Sequence, residues 1–143
     1  MSASAGGVLL AGRILFALFF ANAAVSHVRN DKMMSGYARQ AGFPIPFLAG
    51  WPVGVWLGAA ALSVAVGIWA DLGVLMIGAF LIPAALFFHN FWKLDDPTQR
   101  QTQKGNFTRN VALLGASLAL FAFFAVIGDG LRFAVTGSLF SLR

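Results

Sequence analysis

The chain has 143 residues, of which 59% are hydrophobic and 10% charged, with a formal net charge of +5 and no cysteine. An ordinary soluble domain is roughly 45–50% apolar and about 25% charged, so a water-soluble monomer is excluded. The missing cysteines exclude a disulfide framework, a dithiol relay, a cysteine nucleophile and a cysteine-bound iron–sulfur cluster.

The few charges divide the chain. Uncharged runs separate Arg13 from Arg29 (15 residues), Arg39 from Asp71 (31), Asp71 from Lys93 (21) and Arg109 from Asp129 (19). A helix that crosses a bilayer needs about 20 apolar residues. Four spans are therefore predicted, over residues 8–28, 47–69, 72–92 and 110–128. An open sheet would leave unpaired backbone groups facing lipid, and the runs are too long and too unalternating for barrel strands. The expected fold is all-α: a single-domain integral membrane four-helix bundle with a short interfacial helix in its first loop.

The first span is interrupted by Arg13. The stretch from Met1 to Ala23 also carries features of a secretory signal, with Ala21-Asn22-Ala23 as a cleavage pattern, although Arg13 lies inside the apolar run and not ahead of it. An arginine in hydrocarbon is costly unless paired, so a salt bridge from Arg13 to Asp71 or Asp129 is expected, with anion binding at the outer mouth as the alternative. In the first loop, Asn30-Asp31 offers a cap for a helix over residues 32–41, where Met33, Met34 and Tyr37 recur at helical spacing and Gly42 marks the end. Pro44 and Pro46 predict an extended approach to the second span.

That span carries Gly50, Gly54 and Gly58, a small-residue stripe that serves either packing inside the bundle or a homo-oligomer seam. Pro83 predicts a kink in the third span and a freed carbonyl near Ala79. The segment from Asp95 to Asn110 reads as a solvated connector with one helical turn after Asp96-Pro97. Trp51, Trp92 and Tyr37 at one end and Trp69 at the other match aromatic belts.

Charge asymmetry gives a topology. Arg29, Lys32, Arg39, Lys93, Arg100, Lys104 and Arg109 fall in the two long loops, whereas Arg13, Arg132 and Arg143 fall at the other end, so the long loops are expected in the cytoplasm and both termini outside. No basic stripe interleaves with aromatics, which argues against nucleic acid and in favour of the lipid bilayer as the partner of these charges.

The two histidines, His27 and His89, close the first and third spans and so lie at the same end. With Phe88, Trp92 and Trp51 they are the candidate cofactor-binding residues, an aromatic pocket at the depth of a quinone headgroup. The alternative is a pair of interfacial histidines tied to loop carbonyls. Haem is disfavoured because no matched ligands lie deeper. No metal cluster, phosphate loop or nucleophile–base–orienter set is present, so no catalytic residue is assigned.

Gly12-Arg13, Tyr37 with Gly42-Phe43-Pro44-Ile45-Pro46, His89-Asn90-Phe91-Trp92, and Asn106-Phe107 with Arg109-Asn110 and Gly115 occur in this order. In these features the chain resembles the DoxX family of small four-helix bacterial membrane proteins, related to the DoxD subunit of thiosulfate:quinone oxidoreductase. The resemblance implies a cell-membrane protein acting as a subunit of a redox complex, quinone-linked or concerned with sulfur or oxidative stress, with protein partners in the membrane. A non-catalytic assembly or scaffold subunit is the alternative. The chain departs from the family in having His27 where many relatives have lysine, and in lacking an acidic residue in the second span, so a buried Lys–Glu pair is not carried over.

Overall fold

A computed structural model describes residues 1–142. Its regular elements are helical: α1 (Ala3–Arg29), α2 (Asp31–Gln40), α3 (Trp51–Val66), α4 (Ala70–Pro83) and α5 (Pro97–Ile127), with short 3-10 turns at Pro46–Ala49, Phe91–Lys93 and Gly128–Gly130. Three stretches, Ala3–Arg29, Ala70–Lys93 and Pro97–Gly130, are long and apolar enough to cross a membrane, and α3 is a shorter apolar helix of 16 residues. This is the make-up of a helical membrane protein.

Helix α3 lies between α1 and α4, and α4 packs on α5, around a core that includes Phe20, Leu57, Val64, Val74, Ile77, Leu81 and Phe124. Two glycines of the stripe, Gly50 and Gly54, meet close neighbours within the chain. A Cβ at Gly54 would stand 2.5 Å from Val28 Cγ2 and 2.9 Å from the Ala24 carbonyl oxygen, so only glycine permits this approach of α3 to α1. At Gly50 a Cβ would collide with the Asp31 carboxylate, whereas at Gly58 the nearest atom, Ala24 Cβ, is 3.8 Å away. Gly54→Ala is therefore expected to destabilise the fold by about 1–3 kcal/mol through overpacking. Gly58→Ala should leave the thermal midpoint in detergent unchanged or slightly raised; equal midpoints for the two variants would contradict this packing.

Three local expectations are corrected. The 95–110 connector is helical: Asp96 Oδ1 accepts the Gln99 N–H at 2.7 Å and Pro97 occupies the first turn, so α5 runs unbroken for 31 residues, about 46 Å at ~1.5 Å each. Asn30 makes no side-chain cap for α2 but donates back to the Ser26 carbonyl at 3.1 Å, while Asp31 caps a different helix by accepting the Trp51 N–H at 2.9 Å. Beyond Pro83 the helix does not simply kink. Proline has no N–H for the Ala79 carbonyl, and the next turn, Ala84–Phe88, widens to a π-helix before the helix ends at His89. As expected, Gly42 closes α2, at φ +72°, with the Phe43 N–H returning to the Ala38 carbonyl.

The fourth correction concerns Arg13. Among the described residues no ion pair joins it to Asp71 or Asp129. Its side chain is 1% exposed and spends its donors on main-chain carbonyls: Nε on Val64 (2.9 Å), Nη2 on Ala65 (2.8 Å) and Phe133 (2.9 Å), Nη1 on Arg132 (3.4 Å). The reason lies in how α3 ends. Gly67 adopts the left-handed conformation, and both its N–H and that of Ile68 return to the Ser63 carbonyl. The last-turn carbonyls of Val64, Ala65 and Val66 are then left over, as at any helix C-terminus. Arg13 takes the first two and the Val135 N–H the third, at 3.3 Å. A cation also suits the negative end of the helix dipole.

Asp71 is fully buried in the first turn of α4, where Oδ2 accepts the Phe140 N–H at 2.7 Å. Residues 131–142 thus fold back over this end of the molecule, held by Arg13, Asp71 and the Trp69 N–H, which donates to Thr136 Oγ1 at 2.8 Å. Asp129 is exposed in the turn after α5.

Candidate functional site

At the opposite end, which carries the seven basic loop residues, lies a cavity of about 680 Å³. Its walls come from the end of α1 (His27), α2 (Met34, Tyr37, Gln40), the loop before α3 (Phe43, Ala49), α3 itself (Val53), the Pro83 region of α4 with its π turn (Phe80, Phe87, Phe88, His89), Leu94, and the first turns of α5 (Gln99, Gln103). Each wall follows from a local rule. The Asp96 cap and Pro97 start α5 early enough for Gln99 and Gln103, four residues apart, to share one face. Gly42 turns the chain so that Phe43 packs on Phe87 (centroids 5.3 Å apart) and Phe88 (6.0 Å).

Both histidines are half-buried and both line this cavity. His27 Nδ1 is 2.5 Å from the Ala49 carbonyl oxygen, and the ring stands edge-on to Phe80 with centroids 5.8 Å apart. The Asp31–Trp51 contact holds Ala49 in place, since it fixes the start of α3 two residues beyond Ala49, where the 3-10 turn ends. His89 Nδ1 is 2.8 Å from Gln103 Oε1, which also accepts from Asn106 Nδ2 at 3.3 Å. Each ring is thus anchored by one nitrogen, while neither Nε2 has a protein partner among the described residues.

Of the five residues expected at the site, the fold brings together His27, His89 and Phe88 and leaves the two tryptophans out. Trp92 packs on Phe91 (5.3 Å) and Phe107 (5.6 Å), outside the cavity wall. Trp51 opens α3 with its ring exposed. The alternative reading of histidines tied to loop carbonyls describes His27 on one nitrogen and does not describe His89, whose partner is a side chain. Sequence reasoning missed Gln99, Gln103 and Phe87. The Asp-Pro cap was the available signal for the first two; for the third, Pro83 marks a break in the helix but not the form of the π turn that follows it. Among the described residues no cluster of His, Asp or Glu is arranged to hold a metal.

No protein-family model, curated protein or solved structure matches this chain.

Proposed function

We propose that the chain is a DoxX-like multi-pass protein of the bacterial inner membrane, and that its cavity holds a quinone headgroup on behalf of a membrane-associated redox complex. In this reading α3 completes a four-span bundle: 16 residues give about 24 Å, and the 3-10 turn of Pro46–Ala49 adds about 8 Å, together matching the ~30 Å hydrocarbon core. The basic end faces the cytoplasm by the excess of Lys and Arg there.

The observation that carries the proposal is the convergence of His27 and His89 on one aromatic-walled cavity. The volume lies within the range of small-molecule sites, and the lining is apolar with a few polar groups, as such sites require. A bound quinone would supply two-electron, two-proton chemistry in exchange with a partner subunit. The chain's own residues would orient the headgroup: Phe43, Phe87 and Phe88 flank the ring, and the free imidazole nitrogens meet the hydroxyl groups of its reduced form.

His27→Ala and His89→Ala are each expected to weaken binding of a short-chain benzoquinol tenfold or more, the worth of about one hydrogen bond. Trp51→Phe should leave it unchanged. Calorimetric titration of the protein in lipid nanodiscs reads this. Binding untouched by either histidine change would overturn the site, and no binding at all would favour the assembly-subunit reading.

A further inference from the structure

The anchoring of the two rings fixes which form of the ligand they favour. A backbone carbonyl only accepts, so the hydrogen between His27 and Ala49 belongs to Nδ1 of the imidazole. Gln103 Oε1 likewise accepts, from both His89 Nδ1 and Asn106 Nδ2, so His89 also carries its hydrogen on Nδ1. A neutral imidazole has a single N–H, and with Nδ1 occupied Nε2 is a lone pair. Two rings whose unpartnered nitrogen is an acceptor in the neutral form therefore line one cavity. The remaining polar groups in the wall, the Tyr37 hydroxyl and the amides of Gln40 and Gln99, can turn to donate or accept and express no preference. The imidazoles are committed as acceptors and the Gln103 amide nitrogen, its Oε1 already spent, as a donor, so two fixed acceptors outnumber one fixed donor in this wall.

From this we infer that the cavity selects a dihydroxy-aromatic ligand, the reduced quinol, over the corresponding dione, and that His27 and His89 are the selectivity-determining residues, with Ala49 and Gln103 positioning them. A quinol presents two O–H donors to the two Nε2 atoms. A quinone presents only acceptors, which would face those lone pairs without a hydrogen between them and gain no hydrogen bond from either ring. The inference rests on the proposed quinone site and adds the oxidation state that the site prefers.

The test uses the full chain in lipid nanodiscs with decylubiquinol and decylubiquinone under anaerobic conditions, and an alkylhydroquinone beside its dimethyl ether as a pair that cannot interconvert. The quinol is expected to bind at least tenfold tighter than the quinone, and the diol at least tenfold tighter than its ether. In the His27→Gln/His89→Gln double variant, where each amide can donate or accept, both forms should bind with a ratio near one. Nitrogen-15 spectra of histidine-labelled protein should show both neutral rings as the Nδ1–H form. Equal or tighter binding of the quinone, a preference that survives in the double variant, or an Nε2–H ring would overturn the inference while leaving the site standing. Failure of all four compounds to bind would remove the site itself.

Discussion

Replacement of Arg13 by methionine is expected to destabilise the fold by about 4 kcal/mol, since hydrogen bonds to charged groups contribute ~1.5–3 kcal/mol each and orphaned acceptors carry a further cost. The unfolding midpoint in detergent should fall by roughly 10 °C or more. Methionine replaces the aliphatic stem but ends short of the buried guanidinium, so the loss combines the missing donors with a small cavity. Four carbonyls lose their partner: two close the C-terminus of α3, and two belong to the segment that folds back over it. Around an apolar bundle there is little water to replace them. Arg13→Lys retains the charge but replaces the planar fork with a single ammonium group, and an intermediate loss is expected. A methionine variant within a degree or two of the native midpoint would show that the guanidinium does not hold this joint.

The second large effect is expected at the same joint from the opposite side. Gly67 has φ 73° and ψ 41°, and a Cβ there would stand 2.5 Å from Ala134 Cβ, 2.7 Å from Ala134 Cα and 2.9 Å from Arg13 Nη2. Gly67→Ala combines a left-handed backbone, at about 1–2 kcal/mol, with overpacking against backbone and the buried guanidinium, at about 1–3 kcal/mol. A loss near 3 kcal/mol should follow, read as a lowered midpoint and faster proteolysis of residues 131–142. Gly42 supplies the internal control: its φ is +72° but nothing lies within 4 Å, so Gly42→Ala measures the backbone part alone. Because Gly67 and Arg13 share one contact, the double variant should lose less than the sum of the two single changes. Additive losses would separate the two positions.

Both changes act at the end of the bundle remote from the cavity. His27 lies 14 residues beyond Arg13 on α1, about 21 Å at ~1.5 Å per residue. The joint fixes how the helices end, and the cavity depends on how α2, the π turn and the start of α5 meet.

What was legible in the sequence follows its periodic and exclusionary signals. Runs without charge located the apolar helices, because burying an ion in hydrocarbon is costly enough to dictate where charges sit. Gly42 and the Met33, Met34, Tyr37 spacing located α2 and its end. The two histidines were placed at one end because two helices separated by a single antiparallel helix run the same way. The missed features depend on side chains finding partners far away in sequence. Asp31 looks like a cap for its own helix and caps α3 instead, 20 residues on, because α2 folds back against the start of α3. The Asp96-Pro97 signal was present but outweighed by the polar composition that follows, which suits a helix standing clear of hydrocarbon as well as it suits a loop.

Composition and charge spacing by themselves determined that this chain is helical and apolar enough for a membrane, and that any chemistry must be done with two histidines and very few carboxylates. The tertiary structure alone decided what the scarce polar groups do. Arg13 meets carbonyls and not a carboxylate, since the end of α3 leaves acceptors closer to its guanidinium than any acid. His27 and His89 each spend Nδ1 on the scaffold and keep Nε2 free, a distinction no spacing rule contains, because it is set by which acceptor the folded chain brings to each ring.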